Sequence, residues 1–219
     1  MTQRSDAPAI ELLYADDTLL VLDKPSGLLA VPGRGADKQD CVAARVQVSY
    51  PDALIVHRLD MATSGLMVMA RGPAAQRVLS KAFAAREVRK RYVAVVAGRL
   101  EGPPHGWGVI DLPIIVDWPN RPQRIVDHRI GKPSLTRWRV LANDETGTSS
   151  RVELEPVTGR SHQLRVHLRA LGHPILGDAL YAPPAVQAAA GRLLLHACLL
   201  RFIHPLSGET RTFESPAPF

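Results

Sequence analysis

The sequence predicts an α+β fold, a mixed and mostly antiparallel central sheet with helices packed on it. Short apolar runs bounded by turn residues outnumber helical periods along the chain. Most of these runs follow one another through turns rather than helices, which favours antiparallel neighbours over an alternating parallel sheet. The helical stretches that do occur carry an apolar stripe, as helices lying on a sheet require.

Taken in order, residues 1–10 (MTQRSDAPAI) read as a flexible leader without the apolar core of a signal peptide. IELLYADDTLLVLDKPSG reads as strand, Asp-Asp turn, strand and Pro-Ser-Gly stop. A Gly/Pro-rich loop follows. CVAARVQVSY then places Val42, Val46 and Tyr50 at helical spacing before Pro51. LMVMA, wholly apolar, reads as a central strand. GPAAQRVLSKAFAAREV predicts a helix with Pro73 at its first position and a stripe of Ala75, Val78, Leu79, Ala82 and Phe83. KRYVAVVAG is a strand closed by Gly98, and residues 101–133, rich in Gly, Pro and Trp, read as irregular. TRWRVLA and SSRVELEPV form a hairpin across NDETG. SHQLRVHLRALGHP is helical, with Leu164, Leu168 and Leu171 in one stripe, Ser161 as N-cap, and Gly172 and Pro174 as the stop. APPAVQAAAG is a short helix, and RLLLHACLLRFIHP and TRTFE close the chain as a strand pair. No repeat or linker divides residues 11–219, which read as a single catalytic-type domain.

The chain has 219 residues, 46% apolar and 22% charged, an ordinary globular composition with enough length to bury a core. No apolar run reaches the ~18 residues of a membrane span. Cys41 and Cys198 stand far apart and make neither a disulfide framework nor a zinc knuckle, so the expected location is the cytoplasm with both thiols reduced. A net charge of +6 suggests a polyanionic partner. The charge is concentrated: His57–Arg99 holds nine Lys/Arg against two acids, and Thr158–Arg201 holds five Arg against Asp178 alone. Two such segments can line a basic cleft.

Several chemistries are not supported. GKPS lacks the spacing of a phosphate-binding loop, no GxGxxG opens a helix, and no GxSxG elbow is present. His162 and His167, five apart on a helix, lie about 140° from each other around its axis and share no face. With no HExxH or CxxC, no metal site is expected, and both histidines read as helix-surface or core hydrogen bonders.

What remains centres on VHRLDMATSGLMVMA. Asp60 alone reads as a turn residue before a buried strand. Tyr92 lies in a strand beside a basic run. Arg165 sits about one turn into its helix next to the leucine stripe, so it points partly inward and needs a carboxylate partner.

These residues carry a resemblance. HRLDMATSGL is similar, at every fixed position, to the HRLDxxTSGL signature of the RluA family of RNA pseudouridine synthases. KRYVAVVAG resembles the family's second motif, and GRSHQLRVHLRALGHPILGD its third, with LLLHA following. KPSGLLAVPGRG and GKPSLTRW fit too, and the similarity runs from about residue 11 to the C-terminus. DLPIIVDWPNRP is closest to the family members with dual specificity for 23S rRNA and tRNA. The resemblance implies a pseudouridine synthase fold. It also implies no S4-type RNA-binding domain ahead of residue 11.

The implied reaction breaks the N1–C1′ bond of uridine, turns the uracil and joins C5 to C1′. No water and no redox change enter, so no cofactor is expected, and one carboxylate suffices where hydrolysis would need two. The resemblance assigns that carboxylate to Asp60, as nucleophile or as acid/base. Arg165 would be its pairing arginine, and Tyr92 would stack on the uracil and be a candidate for removing the C5 proton. Arg58 would enter the space left by the flipped base. His57, Thr63, Ser64 and Gly65 would support the loop. Arg89, Lys90, Arg91 and Arg160, with Arg86 nearby, would carry phosphate contacts. Trp118, Asn120 and Arg121 could stack on or clamp loop nucleotides. The expected partners are 23S rRNA and tRNA stem-loops, with no membrane, no obligate protein partner and a monomeric enzyme. A non-catalytic RNA-binding factor fits the charge equally well; the intact Asp60, Tyr92 and Arg165 set separates the two readings.

Overall fold

The computed structural model describes residues 9–103 and 106–219, so most of the expected leader lies outside the described residues. Twelve strands and four α-helices among the described residues make the architecture α+β. The chain divides into two compact units. One takes residues up to Val88 together with Leu200–Ser215; the other takes Arg89–Leu199 with Pro216–Phe219.

The first unit opens with β1 (Glu11–Ala15) and β2 (Leu19–Lys24), paired antiparallel across the Asp-Asp turn. Asp16 makes that turn: its Oδ1 accepts the Thr18 and Leu19 amides at 2.7 and 2.8 Å, a local bond that Asp offers and most residues cannot. Helix α1 (Val42–Gln47) is capped by Cys41, whose Sγ accepts the Ala44 amide at 3.4 Å. It stops short of the predicted Tyr50, although the Tyr50 amide still reaches the Val46 carbonyl at 2.9 Å. Strand β3 (Ala53–Ile55) and β2 both pair antiparallel with β4 (Ser64–Arg71), which is buried along seven of its eight residues, as its unbroken apolar run demands. Helix α2 (Gly72–Ala84) packs Ala75 and Leu79 onto a core of Leu19, Val21, Leu66, Val68 and Ala70. Val78, predicted inside, is exposed. It sits about 100° around the helix from Leu79 and falls off the rim of the stripe.

The second unit begins with β5 (Arg89–Ala97). Three short strands follow within the stretch predicted to be irregular: β6 (Gly108–Asp111), β7 (Ile114–Val116) and β8 (Arg124–Val126). Runs of three or four residues among Gly and Pro are too short for an alternation to register. The hairpin of β9 (Leu135–Asn143) and β10 (Ser149–Pro156) is where the sequence predicts it. The order is β5-β10-β9-β6, antiparallel throughout, while β7 and β8 form a separate two-stranded ribbon. Helix α3 (Gln163–Ala170) starts later than predicted. Ser161 is exposed and His162, at φ 58°, is the N-cap residue, without a side-chain cap bond. Gln163 replaces the expected cap. Its Oε1 accepts the Arg160 amide at 3.0 Å and the Thr158 hydroxyl at 2.7 Å, closing the loop before the helix begins. Helix α4 (Pro184–Ala188) is short.

Strand β11 (Leu195–Ile203) passes from the second unit into the first after Leu199, and β12 (Thr210–Glu214) pairs with it. Leu200 and Phe202 enter the first unit's core. Ser215 bonds Asp23, and Asp16 Oδ2 receives the Tyr14 hydroxyl at 2.7 Å and His204 Nε2 at 2.8 Å. Burial acts to raise the Asp16 pKa. Hydrogen bonds from Tyr14, the Thr18 and Leu19 amides and His204 outweigh it and hold the carboxyl at about 2. The stability Asp16 contributes is therefore present above the unfolded value near 4 and is lost as pH falls toward about 2. Melting curves should show Tm dropping through that window, less steeply in Asp16→Asn.

Candidate active site

The predicted residues of the first unit gather in one turn between β3 and β4. The Thr63 amide donates to the Asp60 carbonyl at 3.1 Å, and Leu59, Thr63 and Ser64 are buried, while Arg58 is exposed and Asp60 half-buried. Gly65 has φ 111°, a conformation closed to other residues, and it carries the chain from the turn into β4. His57 stands behind the turn as a support. Its Nε2 accepts the Val68 amide at 3.0 Å, and its ring stacks on Phe83 at a centroid distance of 4.4 Å.

Sequence reasoning missed what fastens this turn. Lys24, at the end of β2, is fully buried, and its ammonium donates to the carbonyls of Pro25, Leu28 and Met61 at 2.8, 2.8 and 3.0 Å. Ser26 Oγ donates to the Ala62 carbonyl at 2.7 Å, and the Gly27 amide to Met61 at 2.9 Å. The Lys-Pro-Ser-Gly stop is thus a bracket on the two residues that follow Asp60. A charged lysine is so seldom buried that its usual reading is a surface one.

In the second unit, alternation along β5 puts Tyr92 and Lys90 on one face and Arg89 and Arg91 on the other. Tyr92 is half-buried opposite Leu154. Lys90 lies beside the Thr158–Arg160 turn, its ammonium 3.7 Å from where a Cβ on Gly159 would stand, and burial pushes its pKa down. Arg89 and Arg91 form a cross-strand ladder instead. Glu155 pairs with Arg89 at 3.1 Å and Arg137 at 2.9 Å; Glu153 pairs with Arg91 at 3.1 Å and Arg139 at 2.5 Å. Trp107 lies among the guanidinium groups of Arg91, Arg137 and Arg139. Arg160 is exposed, its Nε donating to the Pro133 carbonyl at 3.4 Å. Trp118, Asn120 and Arg121 are exposed on the loop between β7 and β8, with the Arg121 guanidinium 4.8 Å from the Trp118 ring centre.

Arg165 points inward as predicted and is 4% exposed. Within its own unit it has a carboxylate that sequence reasoning did not assign to it. Asp178, 1% exposed, accepts from Arg165 Nε at 2.8 Å and Nη2 at 2.5 Å. The signal was present: Asp178 is the single acid among the five arginines of Thr158–Arg201. Arg165→Met should strand this buried carboxylate and cost about 3–5 kcal/mol, read as a lower urea midpoint at unchanged slope.

His167 in α3 and His162 at its N-cap are hydrogen bonders, as predicted. His167 is buried between the Thr136 hydroxyl at 2.9 Å from Nδ1 and the Leu112 carbonyl at 3.0 Å from Nε2, and burial lowers its pKa. His162 Nδ1 lies 2.6 Å from the Tyr181 hydroxyl. Among the described residues no helix is long and apolar enough to cross a membrane.

Comparison with known proteins places this geometry. Residues 18–170 match the family model of RNA pseudouridylate synthase. The dual-specificity RNA pseudouridine synthase RluA of Escherichia coli strain K12 is 52% identical over 212 residues, covering 97% of this chain and 95% of that protein. The RluA of Haemophilus influenzae is 46% identical over the same shares. Among solved structures, human RNA pseudouridylate synthase domain containing 1 superposes with a TM-score of 0.78 at 29% identity, covering 96% of this chain and 84% of that one. Human domain containing 4 gives 0.75 at 27%, covering 94% and 88%. With a family model across most of its length and half-identical relatives matched over nearly all of theirs, the chain belongs to the RNA pseudouridylate synthases and isomerises uridine to pseudouridine in RNA.

Proposed function

We propose that the substrates are a stem-loop of 23S rRNA and the anticodon stem-loop of tRNA, and that Asp60 is the group acting at C1′. The observation that carries the second point is the bracket of Lys24, Ser26 and Gly27. It fixes the backbone next to Asp60 from a neighbouring strand, as a site needing sub-ångström placement requires. The dual specificity named for the Escherichia coli relative supports the first.

A uridine inside a stem-loop must leave its stack to be reached. Arg58, exposed two residues before Asp60, fills the vacated space. The guanidinium is planar and always charged, so it can stack on neighbouring bases and bond phosphates at once. Asp60 acts at C1′ as nucleophile or acid/base while the N1–C1′ bond breaks. The uracil, held against Tyr92, turns so that C5 meets C1′. The C5 proton then leaves, for which Tyr92 is the candidate base, and N1 gains a proton. Arg165 serves the same reaction as its active-site arginine. The enzyme works as a cytoplasmic monomer.

The test uses two transcripts, one per stem-loop, labelled with tritium at uracil C5. Each pseudouridine formed releases one tritium. Release from both is expected; release from one alone would remove the dual specificity.

A further inference from the structure

We propose that Asp178 is the positioning residue for Arg165, fixing where its guanidinium can act, with Tyr181 completing the clamp. This rests on the reading of Arg165 as an active-site arginine.

Arg165 reaches its charge through a long, freely rotating stem, so α3 alone does not fix the guanidinium. Asp178 does. Its two oxygens take Nε and Nη2 in a side-on fork, which sets the guanidinium plane as well as its distance. The Nη1 end lies outside this pair, so any further anion is met from that side. The carboxylate is itself held: Oδ1 also accepts the Leu180 and Tyr181 amides at 2.9 and 3.2 Å. Entry to this turn admits only glycine. Gly177 has φ 74°, and a Cβ there would stand 1.9 Å from the Arg192 carbonyl oxygen. The Tyr181 ring covers the guanidinium at 4.9 Å. Its hydroxyl accepts the Arg124 amide at 2.8 Å and bonds His162, so the ring cannot swing away. Clamp and helix are thus tied to β8, the strand that leaves the Trp118–Arg121 loop.

Stability alone is a poor reason for this arrangement. Burying two charges costs both their hydration shells, and apolar replacements of such pairs are often neutral or stabilising. A buried pair locked at both ends is better explained by the place it gives the cation.

The test is single-turnover pseudouridine formation at saturating enzyme, with RNA affinity and melting measured on the same samples. Asp178→Asn should lower the rate per folded, RNA-bound enzyme by about a hundred-fold, the cost of roughly 1 Å of misplacement. RNA affinity should stay within about three-fold of wild type, because the loss falls on the reaction step. Asp178→Glu keeps the charge but moves it by one methylene, and should also be slow. Tyr181→Leu should fall in the same direction by less. If Asp178 acts through Arg165, the double variant Asp178→Asn/Arg165→Met is no slower than Arg165→Met alone. Wild-type rates per folded enzyme in the Glu and Leu variants, with only melting lowered, would overturn the positioning role even if the Asn variant does not fold. A wild-type rate in Arg165→Met would instead remove the underlying reading of Arg165.

Discussion

Asp60→Ala should abolish pseudouridine formation, by on the order of 10⁴-fold or more, while RNA still binds within a few-fold of wild type. The expectation follows from what the turn around Asp60 is made of. Its supports are main-chain bonds and neighbouring side chains: Thr63 to the Asp60 carbonyl, Lys24 and Gly27 to Met61, Ser26 to Ala62. Truncating the Asp60 side chain leaves all of these main-chain supports in place, so the turn keeps its course. Asp60→Asn keeps the shape as well and removes only the charge. Both variants should therefore bind stem-loop RNA and release no tritium. Substantial residual release from Asp60→Ala, at a rate within about ten-fold of wild type, would sink the assignment of Asp60.

Lys24→Met should be the most damaging single change outside the reacting groups, at about 3–5 kcal/mol. Methionine fits the volume of the lysine stem but offers no donor. Three carbonyls that now share one buried ammonium, those of Pro25, Leu28 and Met61, would lose it together. Lys24→Arg should not restore stability, because a flat fork cannot replace a compact ammonium with three donors pointing to different carbonyls. The effect should reach the reaction too, since the Met61 carbonyl adjoins Asp60. At a temperature where Lys24→Met is still folded, its single-turnover rate should fall while RNA affinity holds. Urea unfolding with wild-type stability would show that the ammonium is not what holds the turn.

Much of this molecule could be read from its residues alone, and the failures share a cause. The central strand was legible as the unbroken apolar run LMVMA within Ser64–Arg71, and the α2 helix and the β9–β10 hairpin because each repeats a periodicity over eight or more residues. The three short strands between 108 and 126 were not, since nothing so short can repeat. The start of α3 was misread because Gln163, inside the helix, does work that Ser161 usually does from outside it. In the site, the HRLD turn and Arg165 were visible as motifs. Lys24 and Asp178 were overlooked because each acts through partners distant in the chain or through main-chain atoms. Lys24 holds Met61 thirty-seven positions later, and no side-chain pattern marks a carbonyl as an acceptor. Asp178 answers a need, an inward arginine thirteen residues earlier, that sequence reasoning had already filled with Asp60.

The passage of β11 from one unit to the other has a consequence for how the molecule is born. The second unit is almost contiguous in the chain, from Arg89 to Leu199, whereas the first is written in two instalments. Its core needs Leu200 and Phe202, and its opening turn needs His204. A ribosome therefore extrudes the Asp60 segment well before Leu200, Phe202 and His204, which complete its housing. Chains usually fold from the N-terminus as they emerge. Here the Asp60 unit cannot close in that order: a chain interrupted at residue 199 would lack Leu200 and Phe202 and leave the first unit's apolar strands uncovered.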